Sequence, residues 1–226
     1  MKVKDRMSGN VVTIQLDGSL AEAFRIMKER KIRRLPVMDQ TKLVGIVTLS
    51  DLNRAAPSSA TSLSVHELNY LLAKTKIKDI LPKKQKLLTV SSESFIEMAA
   101  RIMRQNTVGG LPVVYGGELV GIITETDIFD AFIDILGVNK PHCRIDVYIV
   151  DRPGALADLI GILSNKGLSL LNTVAYYDKN KDRYKAILRV ETLDYEPIVE
   201  EINNRGYEID SVIASPGNYN HISKDT

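Results

Sequence analysis

Several features that would place a protein outside the cell or in a membrane are scarce in this sequence. The 226 residues include one cysteine, Cys143, so no disulfide can form within the chain. A reducing compartment suits such a sequence better than a secreted setting. No apolar run approaches the roughly 20 residues of a membrane-spanning helix, and the first residues lack the apolar core of a signal peptide. We therefore expect a soluble, cytoplasmic protein with no membrane partner.

Net charge is also small. The 30 Lys and Arg residues nearly balance the 28 Asp and Glu residues, which leaves a formal net charge of +2. A strongly basic surface would favour nucleic acid as a partner, and this balance gives no such indication. We expect no nucleic-acid partner.

No recognisable set of catalytic side chains is present. The sequence has no Walker-type phosphate loop, no Gly-x-Ser-x-Gly element and no cluster of His and Cys residues. His142 and Cys143 are adjacent, but neighbouring side chains on a strand face opposite ways and cannot act as a base and its nucleophile. We expect a non-enzymatic protein with no metal site and no catalytic cofactor.

An internal repeat dominates the first part of the chain. The stretch LVGIVTLSD at residues 43–51 returns as LVGIITETD at residues 119–127. At the same spacing, RRLPV at residues 33–37 returns as GGLPV at residues 109–113. Blocks that hold one register in this way indicate a duplicated structural unit.

Each repeat has the pattern of a β-α-β-β-α unit. Leu20, Ala23 and Met27 form an apolar stripe at helical spacing, which we interpret as core. Ser19 with Glu22, and Ser94 with Glu97, have the spacing of capping boxes at the helix starts. In the first repeat we predict strands at residues 11–14, 35–38 and 43–48, with a second helix after Thr48.

In both repeats the last strand leads into a helix through Thr-x-x-Asp, at Thr48 and Asp51 and at Thr124 and Asp127. A helix N-terminus presents unpaired N–H groups that suit a phosphate, and an ionised carboxylate accepts hydrogen bonds from the two hydroxyls of a ribose. The same spacing also makes a capping box, which needs no ligand. The two roles are compatible, and the duplication in a matching context favours a nucleotide site.

The Leu-Pro-Val strand and the Gly-Ile-Val/Ile-Thr-x-x-Asp segment, each present twice, resemble the CBS-domain family over residues 1 to about 138. The resemblance implies two repeats, residues 1–62 and 63–138, that pack sheet to sheet into one module with two clefts. It further implies that the clefts bind AMP, ADP, ATP or another adenosyl compound as a regulatory ligand. Thr13 and Thr89 lie where contacts to the base often arise in this family.

The repeats differ just before the Leu-Pro-Val strand, where Arg33 and Arg34 in the first are replaced by Gly109 and Gly110 in the second. Arginines offer planar donors to phosphate, whereas glycines allow a backbone or an adenine ring to approach closely. We therefore expect the two clefts to differ in affinity or in ligand. One arginine should matter more than the other, since neighbours on a strand face opposite ways.

The pattern changes after residues 139–143, which we predict to be a linker. Over residues 144–214 strands and helical stripes alternate in the order β-α-β-β-α-β, which is that of a ferredoxin-like fold. The polar residues 215–226 are predicted to be a frayed tail. The fold class of the whole chain is thus α+β.

The segment Asp151-Arg152-Pro153-Gly154-Ala155-Leu156, with Asn172 on the next strand, resembles the ACT family over residues 144–214. The resemblance implies dimerisation and, in many members, binding of an amino acid at the dimer interface. The candidate residues for such a site are Asp151, Gly154, Ala155, Leu156 and Asn172. Helix N-termini suit carboxylates whether or not one is supplied, so amino-acid binding and dimerisation alone both stay open.

The combination of a CBS pair with an ACT domain is similar to that of acetoin-utilisation regulatory proteins. We expect a ligand-sensing regulator that forms a homodimer, because exposed edges of a sheet are usually paired or covered. Its regulated protein is not identified by the sequence. The alternative is an interaction module whose repeats bind no ligand and which controls a partner enzyme.

Overall fold

The computed structural model describes residues 1–57, 64–82 and 87–217. The chain divides into two compact units, Met1–Phe129 and Asp130–Thr226. Each unit is described by itself below.

The two repeats have the predicted β-α-β-β-α order. The first repeat contains β1 (Ile14–Gln15), α1 (Leu20–Arg30), β2 (Arg34–Asp39), β3 (Lys42–Thr48) and α2 (Leu49–Ala55). Two helices follow, α3 (Val65–Lys74) and α4 (Ile77–Ile80). The second repeat contains β4 (Val90–Ser91), α5 (Ile96–Asn106), β5 (Gly110–Tyr115), β6 (Glu118–Thr124) and α6 (Glu125–Leu136), the last of which continues into the second unit.

Each repeat forms a three-stranded sheet, in the order β1-β2-β3 and β4-β5-β6. The first strand of each sheet pairs in parallel with the second, which pairs antiparallel with the third. The registers are equivalent, since Val37 lies opposite Gly45 and Val113 lies opposite Gly121. The duplication seen in the sequence is therefore a duplication of structure. Only Ile14 of the predicted strand at residues 11–14 lies in β1, which is shorter than expected.

The predicted apolar stripe is confirmed as core, because Leu20, Ala23 and Met27 on α1 are buried. The capping predictions have a mixed outcome. Ser19 accepts a hydrogen bond from the Glu22 N–H at 3.1 Å, but the capping box at Ser94 and Glu97 is wrong. Phe95 occupies the N-cap of α5 and makes no side-chain cap bond, because the helix starts one residue later than that box requires.

The segment that leads into each repeat packs on the sheet of the other repeat. The turn of 3-10 helix at Val3–Asp5 reaches the second repeat, where the Val3 N–H donates to the Ser94 carbonyl at 2.8 Å. The helix α4 reaches the first repeat, where the Ile77 N–H donates to the Gly18 carbonyl at 2.9 Å. Val3 and Ile77 are both fully buried. The predicted division at residues 62 and 63 separates the repeats in sequence, whereas in space their leading segments are exchanged.

Charged pairs reinforce one of these exchanged segments. Lys2 and Lys4 lie 2.6 Å and 2.8 Å from the carboxylate of Glu93 in the second repeat. Hydrogen bonds from the two lysines lower the pKa of Glu93 to about 2. All three side chains are exposed, so solvent screens these pairs and they contribute little to stability.

The second unit has the predicted β-α-β-β-α-β order. Its elements are β7 (His142–Ile149), α7 (Ala155–Asn165), β8 (Leu170–Asp178), β9 (Arg183–Val190), α8 (Glu196–Asn204) and β10 (Glu208–Ser215). The strands form one antiparallel sheet in the order β10-β7-β9-β8. Ile145, Leu159 and Leu188 are among the buried residues that join the sheet to its two helices.

Two predicted boundaries in this unit are wrong by one or two residues. The linker at residues 139–143 is too long, since β7 already begins at His142, and the tail cannot begin at Ser215, which is buried at the end of β10. Most of the predicted tail, residues 218–226, lies outside the described residues. Cys143 is fully buried in the core of this unit, and burial raises the pKa of its thiol to about 11.

No helix in the described part of the chain combines the length and apolarity that crossing a membrane requires. Across residues 1–57, 64–82 and 87–217, no three His, Cys, Asp or Glu side chains are grouped so that they could hold a metal ion.

Candidate functional site

The first Thr-x-x-Asp element forms the capping box that its spacing allows. Thr48 is the N-cap of α2, and its N–H and hydroxyl donate to Oδ2 of Asp51 at 2.9 Å and 2.6 Å. The Asp51 N–H donates back to the Thr48 hydroxyl at 3.2 Å. Both side chains are half-buried. The carboxylate is therefore held in one orientation through a single oxygen.

The second Thr-x-x-Asp element repeats this geometry. The N–H and the hydroxyl of Thr124 each donate to Oδ2 of Asp127 at 2.7 Å. Within the described ranges, no hydrogen bond or ion pair engages Oδ1 of Asp127 or of Asp51. Capping thus uses one oxygen of each carboxylate and leaves the other as an acceptor for a ligand.

Asp127 opens onto a cleft of about 1170 Å³ that is built from both repeats, and we call it the Asp127 cleft. The first repeat contributes the segments around Val11 and Val12 and the turn after α1, and the second contributes Gly109 and the start of α6. The charged residues of its lining are Arg30, Lys31, Arg33, Arg34, Glu125 and Asp127. The positive charges outnumber the negative ones, which favours an anionic ligand.

The corresponding region around the first Thr-x-x-Asp element consists of two adjoining hollows that share Ile46, and we call them together the Asp51 cleft. One hollow, of about 590 Å³, is lined by Thr48 and by the residues 107–110 of the second repeat. The other, of about 260 Å³, is lined by Asp51 and Arg54 and by the end of α4. This cleft is therefore also built from both repeats.

The arginine–glycine difference does not distinguish the clefts in the predicted way. Arg33, Arg34 and Gly109 line both the Asp127 cleft and the Asp51 cleft. Arg33 is exposed and Arg34 is half-buried, so the two neighbours do differ in setting. The expectation of one cleft with arginines and one with glycines fails because both clefts include Arg33 and Arg34, at the start of β2, together with Gly109, which directly precedes β5.

Neither of the threonines predicted to contact the base, Thr13 and Thr89, lines the Asp127 cleft. Thr13 lines a separate hollow near Met38 and Gly117, together with Val11, and is not part of the lining around Asp127. Thr89 is half-buried just before β4. Sequence reasoning missed Arg30, Lys31 and Ile32, which line the Asp127 cleft. The basic run of residues 28–34 was the signal available for them.

A hollow of about 660 Å³ in the second unit contains part of the predicted amino-acid site. Asp151, Arg152 and Ala155 line it, and Gly154 adopts φ +88° at the N-cap of α7, a conformation that suits glycine. Arg152 lies 2.6 Å from Asp158. Their hydrogen bond lowers the pKa of the Asp158 carboxyl and raises that of Arg152. The guanidinium of Arg152, in the loop before α7, is thus already paired with a carboxylate.

Asn172 does not join this hollow within one chain. Asn172 pairs with Arg189 at one end of the sheet, whereas Tyr177 and Tyr184 mark the end beside the loop after β7. Five residues of extended strand separate Asn172 from Tyr177, which is about 17 Å. The Asn172 amide donates to the Ile135 carbonyl at 3.1 Å. The predicted set of Asp151, Gly154, Ala155, Leu156 and Asn172 therefore does not form one site in a single protomer.

The fold defines a tandem module in which two β-α-β-β-α repeats form clefts from residues of both. A family model for the CBS domain matches residues 3–58 and 77–134, about half of the chain. The chain belongs to the CBS-domain family. This match ends at residue 134, and the ACT assignment of residues 144–214 stays a prediction.

Relatives match the chain to different extents. A CBS domain-containing protein of Dictyostelium discoideum is 36% identical over 142 residues, which are 62% of this chain and 97% of that protein. The inosine-5'-monophosphate dehydrogenase of Korarchaeum cryptofilum is 32% identical over 161 residues, which are 68% of this chain and 30% of that enzyme. The chain thus spans nearly all of the first relative and less than a third of the second.

Solved structures resemble part of the chain. A CBS domain pair in complex with 5'-methylthioadenosine and S-adenosyl-L-methionine is 29% identical, with 58% of this chain and 95% of that one covered and a TM-score of 0.48. An acetoin utilization protein from Vibrio cholerae is also 29% identical, with 60% and 92% covered and a TM-score of 0.48.

Proposed function

We propose that this protein is a regulatory sensor that binds an adenine nucleotide in the Asp127 and Asp51 clefts. The observation that carries the proposal is the pair of half-buried carboxylates, each oriented through Oδ2 and each with Oδ1 open to a ligand. A ribose supplies two hydroxyl donors for such an oxygen. The start of the following helix and the basic residues of the lining suit the phosphate.

The composite clefts give binding a regulatory consequence. A ligand in the Asp127 cleft would contact the turn after α1 in one repeat and the start of α6 in the other. Such a ligand stabilises one arrangement of the two repeats, because it can shift an equilibrium only through its different affinity for the two states. We propose that a partner protein recognises the arrangement of the two repeats that the ligand stabilises.

Thermal unfolding with added nucleotide tests the proposal. AMP, ADP and ATP should each raise the unfolding temperature, since a ligand at about 100 times its Kd adds about 2.7 kcal/mol to the stability of the native state. ATP should act more strongly at low salt because four basic residues line the Asp127 cleft. Inorganic phosphate is the control for phosphate alone, and cytidine monophosphate, which has the same ribose phosphate with a different base, is the control for adenine. If no adenine nucleotide changes the unfolding temperature, the chain is an interaction module that works without this ligand.

We propose that the second unit is an ACT-type domain that dimerises. Its sheet ends in the edge strands β8 and β10, which carry the exposed apolar side chains Val174, Tyr176 and Ile213. Edge strands are normally paired or covered.

Light scattering at tens of micromolar should give the mass of a dimer, about twice the 25.2 kDa of the chain. Replacing Ile213 with Lys should shift the mass towards the monomer, because it puts a charge on an exposed edge. A wild-type monomer at that concentration would contradict the proposal.

We propose the hollow beside Asp151 as the place for an amino acid in this unit. Its α-carboxylate would bind at the N-terminus of α7 through N–H groups that follow Ala155, because the Ala155 N–H already donates to the Arg152 carbonyl at 3.2 Å. Since Asn172 lies at the other end of the sheet, it is not part of this proposal.

A further inference from the structure

One arginine side chain crosses the boundary between the repeats and lies against two glycines. A Cβ on Gly110 would stand 3.2 Å from Cδ and 3.4 Å from Nε of Arg34, and a Cβ on Gly109 would overlap its Nη2. The position that corresponds to Arg34 in the second repeat is Gly110 itself. The two repeats thus place one guanidinium where exact symmetry would place two.

The Arg34 guanidinium forms no ion pair with the residues that the structure describes. Within the described residues, no carboxylate oxygen lies within 4.0 Å of Arg34. The carboxylate of Glu125 lies nearby without forming an ion pair with Arg34, since its Oε2 would be 2.8 Å from a Cβ on Gly109. Arg34 therefore retains its five N–H donors for an anion that enters from either side.

Both clefts reach this one side chain, because Arg34 lines the Asp127 cleft and also the Thr48 hollow of the Asp51 cleft, which adjoins the hollow that Asp51 lines. Resting on the proposed function, we propose that Arg34 is a single phosphate-binding cation shared by the two clefts. A nucleotide phosphate in one cleft draws the guanidinium towards itself and away from the other. Occupation of one cleft therefore weakens binding in the other, and by linkage the effect is the same in both directions.

The coupling can be measured by calorimetric titration with AMP as the probe. The Asp127 cleft, with the larger share of basic residues, should fill first. We compare the Kd of the second AMP in the wild type with the Kd of the single remaining site in Asp127→Ala. The single site should be tighter by about fivefold or more, the lower end of typical coupling factors, because Arg34 is no longer engaged in the Asp127 cleft.

The ratio of these two Kd values measures the coupling. When Arg34→Ala is introduced into both the wild type and Asp127→Ala, the ratio between the resulting two proteins should be close to one. Gly109→Ala offers an independent route, since its methyl group occupies the space of Nη2 without removing the charge. The atoms in the way are the ends of flexible side chains, so the fold should tolerate it. It too should reduce the ratio. Arg25→Ala is the matched control, because Arg25 is an exposed arginine on α1 that pairs with Glu29.

The outcomes separate this inference from the proposed function. Two AMP molecules that bind the wild type independently, or a ratio that Arg34→Ala leaves unchanged, would overturn the shared role of Arg34 while nucleotide binding stands. An Arg34→Ala variant that loses affinity in one cleft alone would assign the arginine to that cleft and would also overturn sharing. Absence of any AMP binding to the wild type would overturn both.

Discussion

Asp127→Ala is expected to weaken AMP binding to the Asp127 cleft by about 10- to 150-fold. The variant removes the Oδ1 acceptor that we assign to the ribose, and a hydrogen bond to a charged group contributes about 1.5–3 kcal/mol. Asp51→Ala should have the same effect on the Asp51 cleft, because its carboxylate has the same geometry. In the double variant, calorimetry should show this loss of affinity, about 10- to 150-fold, at both clefts.

The control for this prediction is a carboxylate that caps a helix without lining a cleft. Glu67 accepts from the N–H and the hydroxyl of Ser64 at 2.8 Å and 2.7 Å, which matches the arrangement at Asp51 and Asp127. Glu67→Ala should lower stability only slightly through the lost capping box and leave AMP affinity unchanged. Wild-type affinity in the double aspartate variant would refute the assignment of these carboxylates.

Ile77→Ala is expected to lower the free energy of unfolding of the CBS pair by about 2–5 kcal/mol. Ile77 is fully buried in the core of the first repeat although it lies in α4, after residue 62 where that repeat was predicted to end. Truncation leaves a cavity between α4 and residues such as Leu20. Because the leading segments are exchanged between repeats, both repeats should lose stability together and unfold in one transition.

Urea unfolding followed by circular dichroism measures this change. Val65→Ala is the comparison, since Val65 is 71% exposed on the neighbouring α3 and surface substitutions usually change stability by less than about 0.5 kcal/mol. An effect of Ile77→Ala as small as that of Val65→Ala would mean that α4 does not stabilise the first repeat. Two separate transitions would contradict cooperation through the exchanged segments.

Local pattern was enough to predict most elements of both units, but not the 3-10 turn at Val3–Asp5 or α4. The apolar stripe of α1 and the strands predicted at residues 35–38 and 43–48 depend on residues close in sequence, and they appear as expected within β2 and β3. The capping box at Ser94 fails because Phe95, not Ser94, occupies the position that Ser19 has in the first repeat. Spacing to an acidic residue alone does not decide which residue becomes the N-cap.

The composition of the clefts could not be predicted from either repeat alone. The contact between Arg34 and Gly109 joins residues that are distant in sequence, and it exists only because the repeats come together. The same limit applies to the second unit. The order of its strands followed from the pattern, but Asp151 and Asn172 lie at opposite ends of the sheet once the strands pair.

A crystal structure of the full chain with AMP tests the central claim most directly. We expect AMP in the Asp127 cleft, with a ribose hydroxyl about 2.5–3.0 Å from Oδ1 of Asp127, and with Oδ2 still bonded to Thr124. The phosphate should lie towards Arg34 and the start of α6. AMP bound outside both clefts, or with its ribose turned away from Asp127 and Asp51, would contradict the account.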